Sequence, residues 1–258
     1  MLENSGAGLP RPPGSGVPSI DPSAKEQAIS PETPRVRFLF DYISSNAYLA
    51  WLELRKLTAK YGVDLEPVPV LFAGLLEAYG QLGPAEIRPK ARWMWKNNLR
   101  KAALLGVPLN PPAYHPFNPL LALRASSLPM AESARMALID GLFEAVWVRR
   151  LHVSDASVVE RIGDEAGLDG SRLVAKAKTP ARKARLRAQT DEAISMGVFG
   201  VPSMVVGAEV FWGYDDLPYL ELLLAGKDPI DPEEERRWRG PVRASAVRRQ
   251  FRSRGEDA

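Results

Sequence analysis

Two short segments of this chain combine residue types that could do chemistry. The first is Phe40-Asp41-Tyr42-Ile43-Ser44-Ser45-Asn46, where hydroxyl and amide side chains stand between an alternating apolar run and a helical pattern. A serine there lies at the carboxyl end of a strand and the mouth of a helix. Unpaired backbone N–H groups and the helix dipole favour an anion at such a place, and a bound thiolate would be stabilised. A plain N-cap uses the same letters. The second segment is Val198-Phe199-Gly200-Val201-Pro202-Ser203, which puts a proline directly before a β-type run. Proline cannot donate to a ladder, so its ordinary role there is to open a strand, and a cis Val201–Pro202 bond would be a specific feature.

Composition narrows the chemistry. The chain has no cysteine, which removes disulfides, thiolate metal sites, a cysteine nucleophile and disulfide exchange. Any thiol must come from outside. Only His115 and His152 are present, too few for a His-based zinc site or to make a His-containing triad plausible. No run approaches the roughly 20 apolar residues of a membrane span, and the amino terminus lacks a secretory pattern, so a cytoplasmic protein with no membrane partner is expected. The formal charge of +3 is small. Arginines cluster from Arg236 to Arg254, but Glu233, Glu234, Glu235, Glu256 and Asp257 dilute them, so a solvated tail is expected and no nucleic-acid partner.

The elements that must position the two segments follow from the apolar periods. Residues 1–34, rich in Pro, Gly and Ser, bury too little to offset chain entropy and read as a disordered leader. From Arg35, Val36, Phe38, Phe40 and Tyr42 fall on one face of a strand and Leu39 on the other. A helix follows, with Ala50, Leu54, Leu57 and Tyr61 in phase and Gly62 as its stop, then a second strand at 63–70. That is a βαβ unit over 35–83. Residues 84–196 read as a helical insertion and connecting helix, almost entirely helical from Pro84 to Gly170, with later helices at 155–166, 171–178 and 180–196. Two short β runs flank Gly207-Ala208 as a hairpin, and a helix from Asp215 to Ala225 closes the second half at 197–226. Residues 227–258 are the charged tail. The order βαβ, helical block, ββα predicts an α/β protein of thioredoxin-like fold, with an all-helical domain inserted between its βαβ and ββα halves.

Taken together, the two segments resemble one family. The 2-hydroxychromene-2-carboxylate isomerases, a branch of the kappa-class and DsbA-type thioredoxin superfamily, end their first strand in Phe-Asp-Phe, followed by one residue, Ser-Pro and Tyr-Leu-Ala. This chain has Phe40-Asp41-Tyr42-Ile43-Ser44-Ser45 and Tyr48-Leu49-Ala50. The family's carboxyl-terminal signature is similar to Val198 through Ser203, followed by Phe211-Trp212-Gly213 and an Asp. Gly83 to Ile87 and the helix after it look like the family's helical domain, so that the resemblance covers about residues 35 to 226.

The resemblance implies glutathione as cofactor. Ser44 would be the residue that activates its thiol, by donating a hydrogen bond to the sulfur. Val201 would pair its backbone with the cysteinyl part, with Pro202 in cis beside it. Asp215 would bind the γ-glutamyl amino group, with Trp212, Gly213 and Tyr214 forming that wall. Three positions depart from the family. Ser45 replaces the usual proline, which frees an N–H and loosens the loop; Asp216 replaces an arginine, which reverses a charge near the glutathione carboxylates; Gln81 stands where asparagine is frequent.

The implied activity is cis–trans isomerisation of 2-hydroxychromene-2-carboxylate, a small aromatic substrate, to trans-o-hydroxybenzylidenepyruvate in aromatic-compound degradation. A kappa-like glutathione transferase would use the same site, and a non-catalytic binding protein on the same fold is the third reading. Relatives often form homodimers, a point on which no sequence feature bears. Arg92, Trp93, Trp95, Lys96, Asn97, Asn98 and Arg100 read equally as an anion-gripping helix and as a core tryptophan pair beside a solvated stripe. His115, in a proline-bounded loop, reads either as a cleft residue or, more commonly for such a position, as a surface or turn residue, and His152 carries no partner pattern.

Overall fold

The computed structural model describes residues 35–238. The predicted leader 1–34 and residues 239–258 of the tail lie outside the described residues. Strand β1 (Arg35–Phe40) leads through a tight loop into helix α1 (Ser45–Tyr61), which Gly62 ends in the left-handed region at φ 62°, and strand β2 (Asp64–Pro69) returns parallel to β1. The helical block then runs α2 (Phe72–Tyr79), α3 (Arg88–Leu105), α4 (Leu120–Ser126), α5 (Glu132–Trp147), α6 (Ala156–Glu165), α7 (Gly170–Ala177) and α8 (Pro180–Ser195). Strands β3 (Ser203–Val206) and β4 (Glu209–Trp212) form the hairpin, followed by α9 (Leu217–Leu224) and α10 (Pro232–Trp238).

The four strands lie in the order β2-β1-β3-β4, with β3 antiparallel to β1 and Leu39 opposite Ser203. This register brings the two candidate segments together. It sets the end of β1, which feeds the Ser44 loop, beside the start of β3, where the Val201–Pro202 bond is cis. β1 is central because both its faces are apolar. Val36, Phe38 and Phe40, with Tyr42 beyond them, join the larger core with Trp51 of α1 and Phe143 and Trp147 of α5. Leu39 faces the smaller core with Val68, Leu75, Ala193, Val198 and Val205. Each such buried side chain contributes roughly 1.5–3 kcal/mol by leaving water.

Four features differ from the sequence reading. Helix α2 was absent from it, because eight residues with Gly74 in their middle give little periodicity. Gly74 packs so close to α8 that an added Cβ would stand 3.1 Å from the Thr190 methyl. The stretch from Pro84 to Gly170 is interrupted by an irregular segment over 106–119, where Pro108, Pro111, Pro112, Pro116 and Pro119 repeatedly remove the N–H a helix needs. The final helix starts at Leu217, after a 3₁₀ turn at Tyr214–Asp216, and a further helix, α10, forms at the start of the charged tail. Its first turn holds Glu233, Glu234 and Glu235 and its last Arg236 and Arg237, the arrangement a helix dipole favours. Among the described residues, no helix is long and apolar enough to cross a membrane.

Candidate active site

Ser44 is the N-cap of α1. Its backbone is extended (φ −94°, ψ 114°), its N–H donates to the Asp41 carbonyl at 3.0 Å, and its Oγ accepts from the Ala47 N–H at 3.1 Å. A hydroxyl has two lone pairs and one proton, so accepting the cap leaves the proton available. Among the described residues the Ser44 hydroxyl donates to nothing. Capping and donation to a ligand, read as alternatives from sequence, are compatible in this geometry. The N–H groups of Ser45 and Asn46 make no hydrogen bond among the described residues, so the first turn of α1 presents unpaired donors beside Ser44.

The loop is held from beneath. Asp41 is buried, and its two carboxylate oxygens accept from the backbone N–H of Ile43 (3.1 Å) and Phe72 (3.0 Å). Burial lifts its pKa to about 7, opposed by these two hydrogen bonds. Behind it, the Trp147 Nε1–H donates to the Tyr42 carbonyl at 3.0 Å. Tyr42 in turn donates to Ser126 Oγ at 2.6 Å, since the Ser126 proton is already given to the Ala122 carbonyl.

One expectation about the loop is corrected and one alternative is decided. Ser45 does not loosen it: its buried Oγ accepts from Asn98 Nδ2 at 2.6 Å, a tie to α3 that the usual proline could not make. Of the two readings of His115, the structure favours the inward one: it is half-buried in the irregular loop, its Nε2 lies 3.0 Å from the Ile43 carbonyl, and its ring lies against Trp95, Phe117 and Trp147. Burial lowers its pKa, so the neutral ring predominates at neutral pH. The contact with a carbonyl assigns the proton to Nε2 and leaves Nδ1 as an acceptor. The cationic helix read two ways from sequence therefore divides: Asn98 and Trp95 face the site loop or the core, and Trp93 is 61% exposed.

The opposing wall comes from the β3–β4 hairpin. Ser203 Oγ donates to the Gly200 carbonyl at 2.8 Å, and the Gly213 N–H donates to the Pro202 carbonyl at 2.8 Å. Val201 lies between these tied points, and neither its N–H nor its carbonyl makes a hydrogen bond among the described residues. A short stretch of strand-like backbone is thus left unpaired next to the Ser44 loop. The Trp212 ring lies across Gly200, where an added Cβ would stand 2.5 Å from Nε1, and contacts Phe199 at 5.1 Å. Asp216 turns its carboxylate back onto the Trp212 N–H at 2.8 Å. The charge expected to reverse the field of the site is therefore engaged in a turn of its own.

Lys101 joins the two walls. Its side chain is buried in α3, and its Nζ donates to Asn46 Oδ1 (3.2 Å) and Asp215 Oδ2 (2.8 Å) while lying 4.9 Å from the centre of the Tyr214 ring. Sequence reasoning missed this residue, since nothing in a run of basic helix letters marks the one whose ammonium points inward.

Comparison with known proteins places the chain in a family. The family model of the DSBA-like thioredoxin domain matches residues 35–225. The 2-hydroxychromene-2-carboxylate isomerase of Sphingobium xenophagum is 31% identical over 196 residues, spanning 74% of this chain and 98% of that protein. The chain belongs to this isomerase family. A solved structure of a 2-hydroxychromene-2-carboxylate isomerase superposes with a TM-score of 0.70 at 30% identity, over 74% of this chain and 94% of its own. Glutathione S-transferase kappa 1 of Rattus norvegicus is 25% identical over 225 residues, 81% of this chain and 95% of that protein. The isomerase family is a family of enzymes, and the chain is one of them. Among the predicted site residues, Ser44 lies on the α1 wall and Val201, Pro202, Trp212, Gly213, Tyr214 and Asp215 on the hairpin wall and the turn that follows it.

Proposed function

We propose that this enzyme catalyses glutathione-dependent cis–trans isomerisation of 2-hydroxychromene-2-carboxylate to trans-o-hydroxybenzylidenepyruvate, in the degradation of naphthalene-type aromatic compounds. The observation that carries the reading is an uncommitted serine proton at a helix N-terminus beside unpaired backbone at Val201, in a chain with no thiol of its own. The names of the relatives at 30% identity and above support the reaction assigned to that site.

The residues suit glutathione. When bound, it supplies a nucleophilic thiol whose reversible addition turns a double bond into a rotatable single bond. Ser44 donates its proton toward the sulfur while its oxygen stays on the Ala47 N–H. Together with the unpaired N–H groups of Ser45 and Asn46, this favours the thiolate over a thiol of ordinary pKa, about 8.5. Val201 offers its N–H and carbonyl to the cysteinyl unit as the edge of a sheet does to an added strand. Pro202 and Gly213 are tied to each other and keep the Val201 backbone in place. Asp215 offers a carboxylate oxygen to the γ-glutamyl ammonium, with Trp212 and Tyr214 enclosing it.

The test is an absorbance assay of 2-hydroxychromene-2-carboxylate with and without glutathione. Isomerisation that requires glutathione and falls in Ser44→Ala is expected; failure of the protein to bind millimolar glutathione sinks the proposal. The similarity to rat glutathione S-transferase kappa 1 favours one second reading, in which the same site joins the thiol permanently to an electrophile. Conjugation of an electrophile without turnover of the chromene would put that reading in its place.

A further inference from the structure

The buried ammonium of Lys101 changes what Asp215 can recognise. A carboxylate alone selects for an ammonium and repels a neighbouring carboxylate. Asp215 is not alone: one oxygen is held by Lys101 at 2.8 Å, and its side chain is 71% exposed, so the other oxygen faces outward. Lys101 is fixed in turn by Asn46 Oδ1, two residues beyond Ser44, and by the face of the Tyr214 ring. The remaining acid of the turn, Asp216, is committed to the Trp212 N–H. The turn therefore presents an acceptor for an ammonium backed by a cation, a pair with no net charge and a strong local dipole.

We propose that Lys101 is a specificity-determining residue of this site, and that the Lys101–Asp215 pair recognises the α-amino acid end of glutathione as a zwitterion, its ammonium on the outer oxygen of Asp215 and its carboxylate toward Lys101. The inference rests on the glutathione reading given above and names the subsite for its γ-glutamyl end. It also gives a role to a cation that comes from the helical segment, since the residue after Asp215 is an acid in this chain.

Three ligands separate the contributions: glutathione, its deamino analogue (4-carboxybutyryl-Cys-Gly) and its decarboxy analogue (4-aminobutyryl-Cys-Gly). Their dissociation constants are measured by calorimetry on the full chain. The wild type is expected to prefer glutathione over both analogues by about tenfold or more, each loss being one unmatched charge. In Lys101→Met, which keeps the apolar stem and removes the charge, the carboxylate of glutathione faces an uncompensated Asp215, so the decarboxy analogue binds as well as glutathione or better. In Lys101→Arg the wild-type order is retained. Asp215→Asn, at an exposed position, keeps the fold if Lys101→Met does not, and it shifts preference toward the deamino analogue.

A purely structural role for Lys101 lowers all three affinities together and leaves their ratios unchanged, a result that overturns the proposal while glutathione binding stands. Absence of glutathione binding in the wild type overturns both this inference and the function it rests on.

Discussion

Replacing Ser44 separates two jobs done by one oxygen. In Ser44→Ala the Ala47 N–H loses its cap, at a cost of about 1 kcal/mol. For a fold of this size that lowers Tm by roughly 2–4 °C. In Ser44→Gly the cap costs only a few tenths of a kcal/mol, because glycine tolerates the extended N-cap backbone and leaves the N–H groups to water. Both variants lose the hydroxyl proton. At pH 7 a thiol of pKa about 8.5 is roughly 3% ionised, whereas one lowered by two units is about three-quarters ionised, a difference of roughly 25-fold in reactive thiolate. The assay follows thiolate absorbance near about 240 nm through a pH titration of bound glutathione, alongside thermal unfolding. The expected pattern is a raised thiol pKa in both variants, with near-normal stability in Ser44→Gly and lowered stability in Ser44→Ala. If Ser44→Gly keeps the lowered pKa, the helix N-terminus alone stabilises the anion and the hydroxyl serves only as a cap.

Three further outcomes are expected. The buried Asp41 carboxyl has a folded pKa of about 7 against 3.8 for the free group, so between these values the folded state binds more protons and the contribution of Asp41 to stability falls as pH rises. Wild type should therefore lose on the order of 1 kcal/mol per pH unit relative to Asp41→Asn between pH 5 and 7 (roughly, by linkage), and a pH-independent difference in denaturant unfolding would contradict this. Gly200→Ala drives a Cβ into the half-exposed Trp212 ring; glutathione affinity should drop several-fold with little change in Tm, and unchanged affinity would remove Trp212 from the site. Tyr42→Phe leaves Ser126 Oγ without its buried donor and should cost about 1 kcal/mol in urea unfolding, with a cost near zero showing that the tyrosine hydroxyl contributes nothing.

Much of the molecule is legible in the letters. The two-faced apolar run of β1, the stop at Gly62, the helices near 155–196 and the hairpin at Gly207-Ala208 are local patterns whose physical cause lies within a few residues, and the structure forms all of them. So are the two candidate segments, since a cap serine after a strand and a proline before one advertise themselves by neighbours alone. Helix α2 and the proline-rich break after α3 were less legible, because eight residues give two turns of evidence and prolines inside an apolar stretch can be overridden by its periodicity.

The side chains that tie the Ser44 loop to distant elements depended on tertiary structure. Asn98 reaches Ser45 across 53 residues, His115 reaches Ile43 across 72, and Lys101 meets Asn46 and Asp215 across 55 and 114. No spacing rule spans such separations, and whether an ammonium is buried is decided by which surfaces close over it. The sequence determined the order of elements, the absence of an internal thiol and the two segments proposed to hold an external one. Only the packing of α3 against the α1 loop and the hairpin turn decided that Ser45 tightens the loop, that Asp216 is spent on its own turn and that Asp215 is backed by a cation.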